Sequence, residues 1–404
     1  IVFLSFFIGF YSFAQFPSDF YLKTGSTDVG QLSSWTDDPA GGPVTQASNT
    51  PLSFTYAAKT WHIKNNAVAT LSANLSANPN LIPATSTVLV ESNCELLITG
   101  AGRISTCLLD AQSNATVTID NSRKYKPNNI HSASVFSLVA TNAVLMGIGG
   151  SALVPASFAG YGDVVIDAMG PLQDGDVVIN GALSILAGRT FGFDFYSLTL
   201  NGNVPIVSTG SLIGDGSAIL NINGGNGGTI LWDAAPNNVV DQMYLNLQNT
   251  ADEIQCSNSF SVYTKLDVQK GYLKIDNINL IIDGTTPCDF VLPATLSDGG
   301  LTSSGGTTLT LNGDANLAAS GNNLFGLKNA ADVIDFIDVN SSVQSNPFGI
   351  GSAGNIGTIT INTGSFSFGQ TATASATLVT VLANGNLMIN GAAGSTQINT
   401  LTLT

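Results

Sequence analysis

Charge is scarce in these 404 residues and positive charge scarcer still: 12 Lys and Arg stand against 27 Asp and Glu, with only two histidines and four cysteines. A net charge of −15 excludes nucleic acid and anionic lipid as partners, because the field of the protein repels phosphate. It also leaves a lyase, which must neutralise uronate carboxylates, poorly supplied with cations. Cys94, Cys107, Cys256 and Cys288 lack the Cys-x-x-Cys spacing of a zinc site, and His62 and His131 lie far apart in the sequence. Soft-ligand metal binding is therefore not expected. Cys94 and Cys107 are a candidate disulfide in an oxidising compartment; the reading of equal weight is that each is a small buried hydrophobic residue.

Helical periodicity is nearly absent too. In its place a short alternation of apolar and polar residues recurs, ended by Asn-Gly or Asp-Gly: Val178-Ile179-Asn180-Gly181, Leu198-Thr199-Leu200-Asn201-Gly202, Leu220-Asn221-Ile222-Asn223-Gly224, Leu280-Ile281-Ile282-Asp283-Gly284, Leu309-Thr310-Leu311-Asn312-Gly313 and Leu387-Met388-Ile389-Asn390-Gly391. This is strand followed by turn. Leu, Ile and Val at alternate positions face a core and Thr and Asn face water, while Asn and Gly turn the corner because they tolerate positive φ. Asn180 to Asn201 is 201 − 180 = 21 residues and Asn201 to Asn223 is 223 − 201 = 22, the repeat of one solenoid coil. Later spacings lengthen, as from Asp283 to Asn312, and outward loops absorb the difference. The pattern predicts an all-β chain, a parallel β-helix or β-solenoid with an N-terminal cap. Leu200, Ile222, Ile282, Leu311 and Ile389 point inward, and Asn residues at equivalent corners stack in a side-chain ladder. The alternative is an array of antiparallel β-sandwich repeats, since Asn-Gly between apolar runs is also a hairpin signal. One dominant strand motif per period favours the solenoid.

The apolar run Ile1 to Phe13, closed by Ser12-Phe13-Ala14, reads as a signal peptide over residues 1–14, so that the mature chain starts at Gln15 and carries no membrane span. No Met or basic residue precedes Ile1, and Leu401-Thr402-Leu403-Thr404 stops inside a strand-like alternation; both ends are expected to be truncated. Residues 15–83, with Trp35, Trp61 and the Gly-Pro-rich Asp37-Asp38-Pro39-Ala40-Gly41-Gly42-Pro43, read as the cap that covers the open edge of a first coil, and residues 84–404 as the repeats.

The cap carries Asp19-Phe20-Tyr21, then Leu32-Ser33-Ser34-Trp35, a Gly-Pro spacer and Trp61-His62-Ile63-Lys64-Asn65-Asn66. That order resembles the opening of large repetitive surface proteins of the Bacteroidetes. Gly228-Thr229-Ile230-Leu231-Trp232-Asp233, Tyr244-Leu245-Asn246-Leu247 and Gly271-Tyr272-Leu273-Lys274-Ile275 are similar to segments within them. The resemblance implies export, delivery to the cell surface by type IX secretion through a C-terminal sorting domain that these residues do not include, and a role in adhesion or scaffolding.

Two groups of carboxylates were candidates for hydrolysis, which needs a convergent pair. Asp163, Asp167, Asp174 and Asp176 lie close together, but Asp174-Gly175-Asp176 reads as a turn. Asp332, Asp335 and Asp338 have a three-residue spacing that a strand divides between its faces. Calcium is conceivable at Asp215-Gly216, Asp283-Gly284 and Asp298-Gly299-Gly300, although the Gly-Gly-x-Gly-x-Asp repeat is missing and ordinary turns explain these corners. Gly147-Ile148-Gly149-Gly150 and Gly224-Gly225-Asn226-Gly227-Gly228 read as turns rather than phosphate loops. Thr358-Ile359-Thr360 and Thr400-Leu401-Thr402 do not recur at every coil, so solvent-facing Thr explains them better than an ice-binding ladder. Phe191, Phe193, Phe195 and Tyr196 alternate and leave carbohydrate binding open. The resulting expectation is a secreted or cell-surface structural or adhesive β-repeat protein without catalytic residues, whose partners are surface glycans or other extracellular polymers. A carbohydrate-active enzyme or carbohydrate-binding module on a β-helix is the alternative.

Overall fold

The predicted alternation becomes strands stacked in parallel, one coil on the next. The computed structural model describes residues 19–42, 51–75, 81–83, 85–99, 102, 107–112, 115–120, 129–132, 136–141, 153–154, 164–167, 172–173, 175–202, 210–293, 297–317, 324–325, 327–329, 331–340, 348–350, 354–368, 374–389 and 397–404. Of the described residues 60% are strand and 1% helix, and the architecture is a β-solenoid. Among the described strands every pairing is parallel except Asp19–Leu22 with Trp35–Thr36. This excludes the sandwich array, whose sheets are antiparallel.

The described strands form four sheets, which make the walls. One runs from Trp35–Thr36 through Asp19–Leu22, Thr60–Ile63, Thr87–Val90 and Leu108–Ala111 to Asn129–Ser132, and a second from Val68–Leu71 to Leu183–Ile185. A four-stranded sheet joins Leu153–Val154 to Ser211–Ile213. The longest, of 16 strands, begins at Val177–Ile179 and passes through Asn279–Val291, Thr308–Leu317, Val333–Asn340 and Gly354–Phe368 to Ala374–Ile389 and Gln397–Leu403.

Parallel in-register pairing places like residues above like. Leu198, Leu220, Met243, Leu266 and Phe290 are successive partners along one inward row, and all are fully buried. Leu280, Leu309, Ile337, Ile359 and Val379 form another. Each such side chain contributes about 1.5–3 kcal/mol of burial, so the rows hold the coils together without ionic help. Corners close where the sequence places Asn and Gly: Asn65, Asn66, Asn93, Asn258 and Asn277 take the left-handed conformation. At Gly202 a Cβ would lie 2.1 Å from the Gly181 carbonyl oxygen, so the stacked Asn-Gly corners admit no larger residue there.

The expected Asn ladder is present. Asn201 Nδ2 donates to Asn180 Oδ1 at 2.8 Å, 21 residues back. Further along, Asn340 Nδ2 donates to Asn312 Oδ1 at 3.0 Å and Asn340 Oδ1 accepts from Asn362 Nδ2.

Three expectations are modified. Leu200, Ile222, Ile282 and Leu311 are buried, but Ile389 is 52% exposed. It pairs with Phe368 on one side, and Gln397–Leu403 covers only Ser375 to Val381 on the other. The boundary at residues 83 and 84 is not a break in the sheets, because Thr60–Ile63 and Val68–Leu71 already pair in parallel with Thr87–Val90 and Glu95–Thr99. The cap is narrower: the antiparallel strand Trp35–Thr36 flanks Asp19–Leu22, and Phe20, Trp35 and Phe54 pack around the fully buried Trp61. Finally, Cys94 and Cys107 are separate buried thiols, not a bridge. Burial raises both, Cys107 to about 12, while the Asn66–Ala67 backbone beside Cys94 and Val88 beside Cys107 oppose the shift.

Candidate binding face

The sequence-selected carboxylates are dispersed by the fold. Asp163 and Asp174 lie outside the described residues, and Asp167 ends the strand Val164–Asp167. Asp176 accepts the Ser197 N–H of the next coil at 2.9 Å, as a turn residue does. Asp332 is buried and accepts from the Asn329 backbone at 2.9 Å and the Asn329 side chain at 3.1 Å. Asp335 Oδ2 accepts the Thr307 N–H of the preceding coil at 3.0 Å, whereas Asp338 faces outward one strand position beyond Ile337. The three do not converge. Asp215, a calcium candidate, instead accepts the Ser217 N–H at 2.8 Å. Among the described residues no three His, Cys, Asp or Glu side chains are placed to hold a metal, and no helix is long and apolar enough to cross a membrane. Of the alternating aromatics, Phe191 and Phe193 are core residues, while Phe195 is 73% exposed at a turn with φ of 62°.

Two clusters went unseen in the sequence. On the first wall, His62, Leu89, Asp110 and His131 are successive register partners, so the fold places both histidines on one row. His62 Nδ1 lies 2.9 Å from Glu91 Oε1, and its ring stacks on Tyr21 at 4.6 Å.

The second cluster is centred on Lys328. Its ammonium meets Glu253 Oε1 at 2.6 Å, donates to the Ala251 carbonyl at 3.0 Å and lies 4.5 Å above the Tyr272 ring centroid. Glu253, Tyr272 and Gly300 are register partners on successive strands, and Gly300 presents no side chain that would block the lysine. Tyr272 is raised, by burial first; Lys328 opposes this and Asp298, Asp332 and Glu253 add to it. The lysine spans several coils, and its charge is taken up by Glu253.

The long sheet carries a more open arrangement. The strand Val333–Asn340 turns a corner at Asp335 and Phe336, whose N–H groups both point at the Thr307 carbonyl, at 3.0 and 3.1 Å. Gly357 in the next coil passes so close that a Cβ would sit 2.5 Å from the Asp335 carbonyl oxygen. Beyond the corner the strand is flat and alternates: Ile337 and Val339 are buried, and Phe336, Asp338 and Asn340 face out. Thr308 and Thr358 are the partners of Phe336, and Thr310 and Thr360 those of Asp338. Asn312 and Asn362 bond to Asn340. Three strands thus present an aromatic ring, hydroxyls, one carboxylate and an amide ladder on a single face. Positions on it are about 4.8 Å apart along the axis and about 6.7 Å along a strand. Phe336 is 51% exposed, and burial raises the Asp338 carboxyl above its ordinary value.

The hydroxyl rows continue through Thr380 and through Thr400 and Thr402. More Thr is aligned than the sequence suggested, but Phe336, Asp338 and Leu378 interrupt the rows, so no uniform threonine lattice forms. The signal that would have found this face is register: Phe336 lies 28 residues after Thr308 and 22 before Thr358, spacings obscured by the drifting coil length.

Compared with protein-family models, with curated proteins and with solved structures, the chain matches none.

Proposed function

We propose that this chain is an extracellular or cell-surface structural protein that adheres to glycans or similar extracellular polymers through the outer faces of its solenoid. The observation that carries this reading is the outward display of hydroxyl and amide side chains, Thr308, Thr310 and Asn312 on one strand and Thr358, Thr360 and Asn362 on another, on either side of the strand that carries Phe336, Asp338 and Asn340. A polar surface with similar groups on successive strands suits a repeating polymer because weak contacts recur along the wall, and many weak contacts on one scaffold give avidity. The acidic balance, −15 overall, favours uncharged or cationic polymers over anionic ones.

The purified protein, applied to immobilised glycans and insoluble polysaccharides with and without calcium, is expected to bind without releasing reducing ends. Release of reducing ends would overturn the adhesive reading in favour of a carbohydrate-active enzyme. One arrangement gives that rival a concrete form: Lys328, Tyr272 and Glu253 together with the nearby Asp298 and Asp332. If turnover occurs, Tyr272→Phe and Lys328→Met decide whether that cluster performs it.

A further inference from the structure

We infer that the outward face centred on Phe336 is a subsite for a neutral polysaccharide, one pyranose ring stacking on Phe336 while its hydroxyls are held by Asp338 and the flanking threonines. This rests on the adhesive reading above and names its ligand class and its contact point.

Phe336 is 51% exposed although its strand neighbours Ile337 and Val339 are fully buried. The corner at Asp335 fixes that exposure: two successive N–H groups are bound to one carbonyl, the alternation slips by one residue, and the ring is turned out of the core row. Its lateral partners are Thr308 and Thr358, short side chains that leave both sides of the ring open. A flat aromatic surface without an apolar surround suits a ligand with a small apolar face and a polar rim. A pyranose with equatorial hydroxyls has that shape, its axial C–H groups forming the apolar face.

The second row supplies the polar partners. Asp338 stands two residues along the strand, about 6.7 Å from Phe336, within reach of the hydroxyls of a ring stacked there. Thr310 and Thr360 flank it, and Thr310 Oγ1 is already oriented by donating to Asn279 Oδ1 at 3.0 Å. A carboxylate accepting from two sugar hydroxyls makes charge-assisted bonds, stronger than neutral ones.

The same inventory excludes other occupants. The face contains no cation, so anionic uronates, sulfated glycans and nucleic acid meet an uncompensated Asp338. A folded protein partner needs an apolar interface core, and one phenyl ring among hydroxyls does not provide it.

The test uses the full chain with cellohexaose, xylohexaose and hexagalacturonate as probes, measured by calorimetry and by saturation-transfer NMR. The expected result is binding of a neutral hexasaccharide, with ring C–H protons receiving saturation. Phe336→Ala is expected to weaken it about tenfold, and Asp338→Asn to weaken it measurably, without change in the circular-dichroism spectrum. Phe195→Ala, which removes an exposed phenyl ring at the corner between the strands Thr190–Gly192 and Ser197–Leu200, is expected to leave affinity unchanged. Equal binding by wild type and Phe336→Ala overturns the subsite while leaving adhesion through another face intact. Preference for hexagalacturonate overturns the neutral ligand class. Absence of binding to either neutral probe overturns the inference by itself, whereas the adhesive reading falls only if immobilised polymers also fail to retain the protein.

Discussion

Asp194 sits at the corner between the strands Thr190–Gly192 and Ser197–Leu200. Its Oδ1 is buried with no hydrogen-bond partner among the described residues, and burial, then the neighbouring Asp215 charge, raises its carboxyl above the ordinary value. At pH well below the ordinary carboxylate range both folded and unfolded chains are protonated, and the site costs nothing. As pH rises through about 3.9 the unfolded chain ionises first, so the folded state loses stability until its own higher pKa is passed. Asp194→Asn is therefore expected to raise Tm at pH 7 and to give a smaller gain as the pH falls toward about 3, read by thermal denaturation. A gain equal at both pH values would assign the effect to shape instead of charge. Asp215 is a poorer choice for the same test, because its carboxylate holds the Ser217 N–H and its removal would free the turn.

At the scale of the strand, Lys328 acts as a staple, reaching back to a carboxylate 75 residues away in the sequence. Lys328→Met is expected to destabilise the protein by about 1–2 kcal/mol in denaturant titration, from a partly exposed ion pair and a cation–π contact together. Glu253→Gln should cost a similar amount and the double variant less than the sum, since both remove one interaction. High salt should narrow the gap between wild type and either variant. Additive losses would show that the lysine is held by Tyr272 alone.

The staple also marks where the sequence stopped being legible. Inward rows were readable because Leu200, Ile222, Ile282 and Leu311 repeat within a local alternation, and the Asn ladder because Asn180 and Asn201 end identical motifs one coil apart. Lys328, Phe336 and the shared row of His62 and His131 depend on how many residues each intervening coil contains, and that number varies with loop length. Ile389 was misplaced for a related reason: its motif matches the buried ones, but burial also requires a strand on the far side.

At the scale of the whole molecule, the first and last described strands are covered differently. At one, an antiparallel strand and an aromatic cluster around Trp61 cover the sheet edge. At the other, Leu401 and Leu403 stand in register with the buried Val379 and Val381 yet are 48% and 71% exposed. The described strands between them are joined to their neighbours by parallel hydrogen bonds and by rows of stacked side chains. Under tension applied to the chain ends, such a stack yields coil by coil instead of all at once. Each coil released leaves the next to carry the load through the same parallel ladder. Each step pays out the slack of one coil: about 70 Å where the stacked asparagines are 21 residues apart and about 95 Å where they are 28 apart. In single-molecule pulling the unequal teeth of the force trace should therefore read out the lengths of the coils, and a single cooperative rupture would be the contrary result. A wall that sheds its length in instalments absorbs far more work before it parts than one that breaks at a single seam.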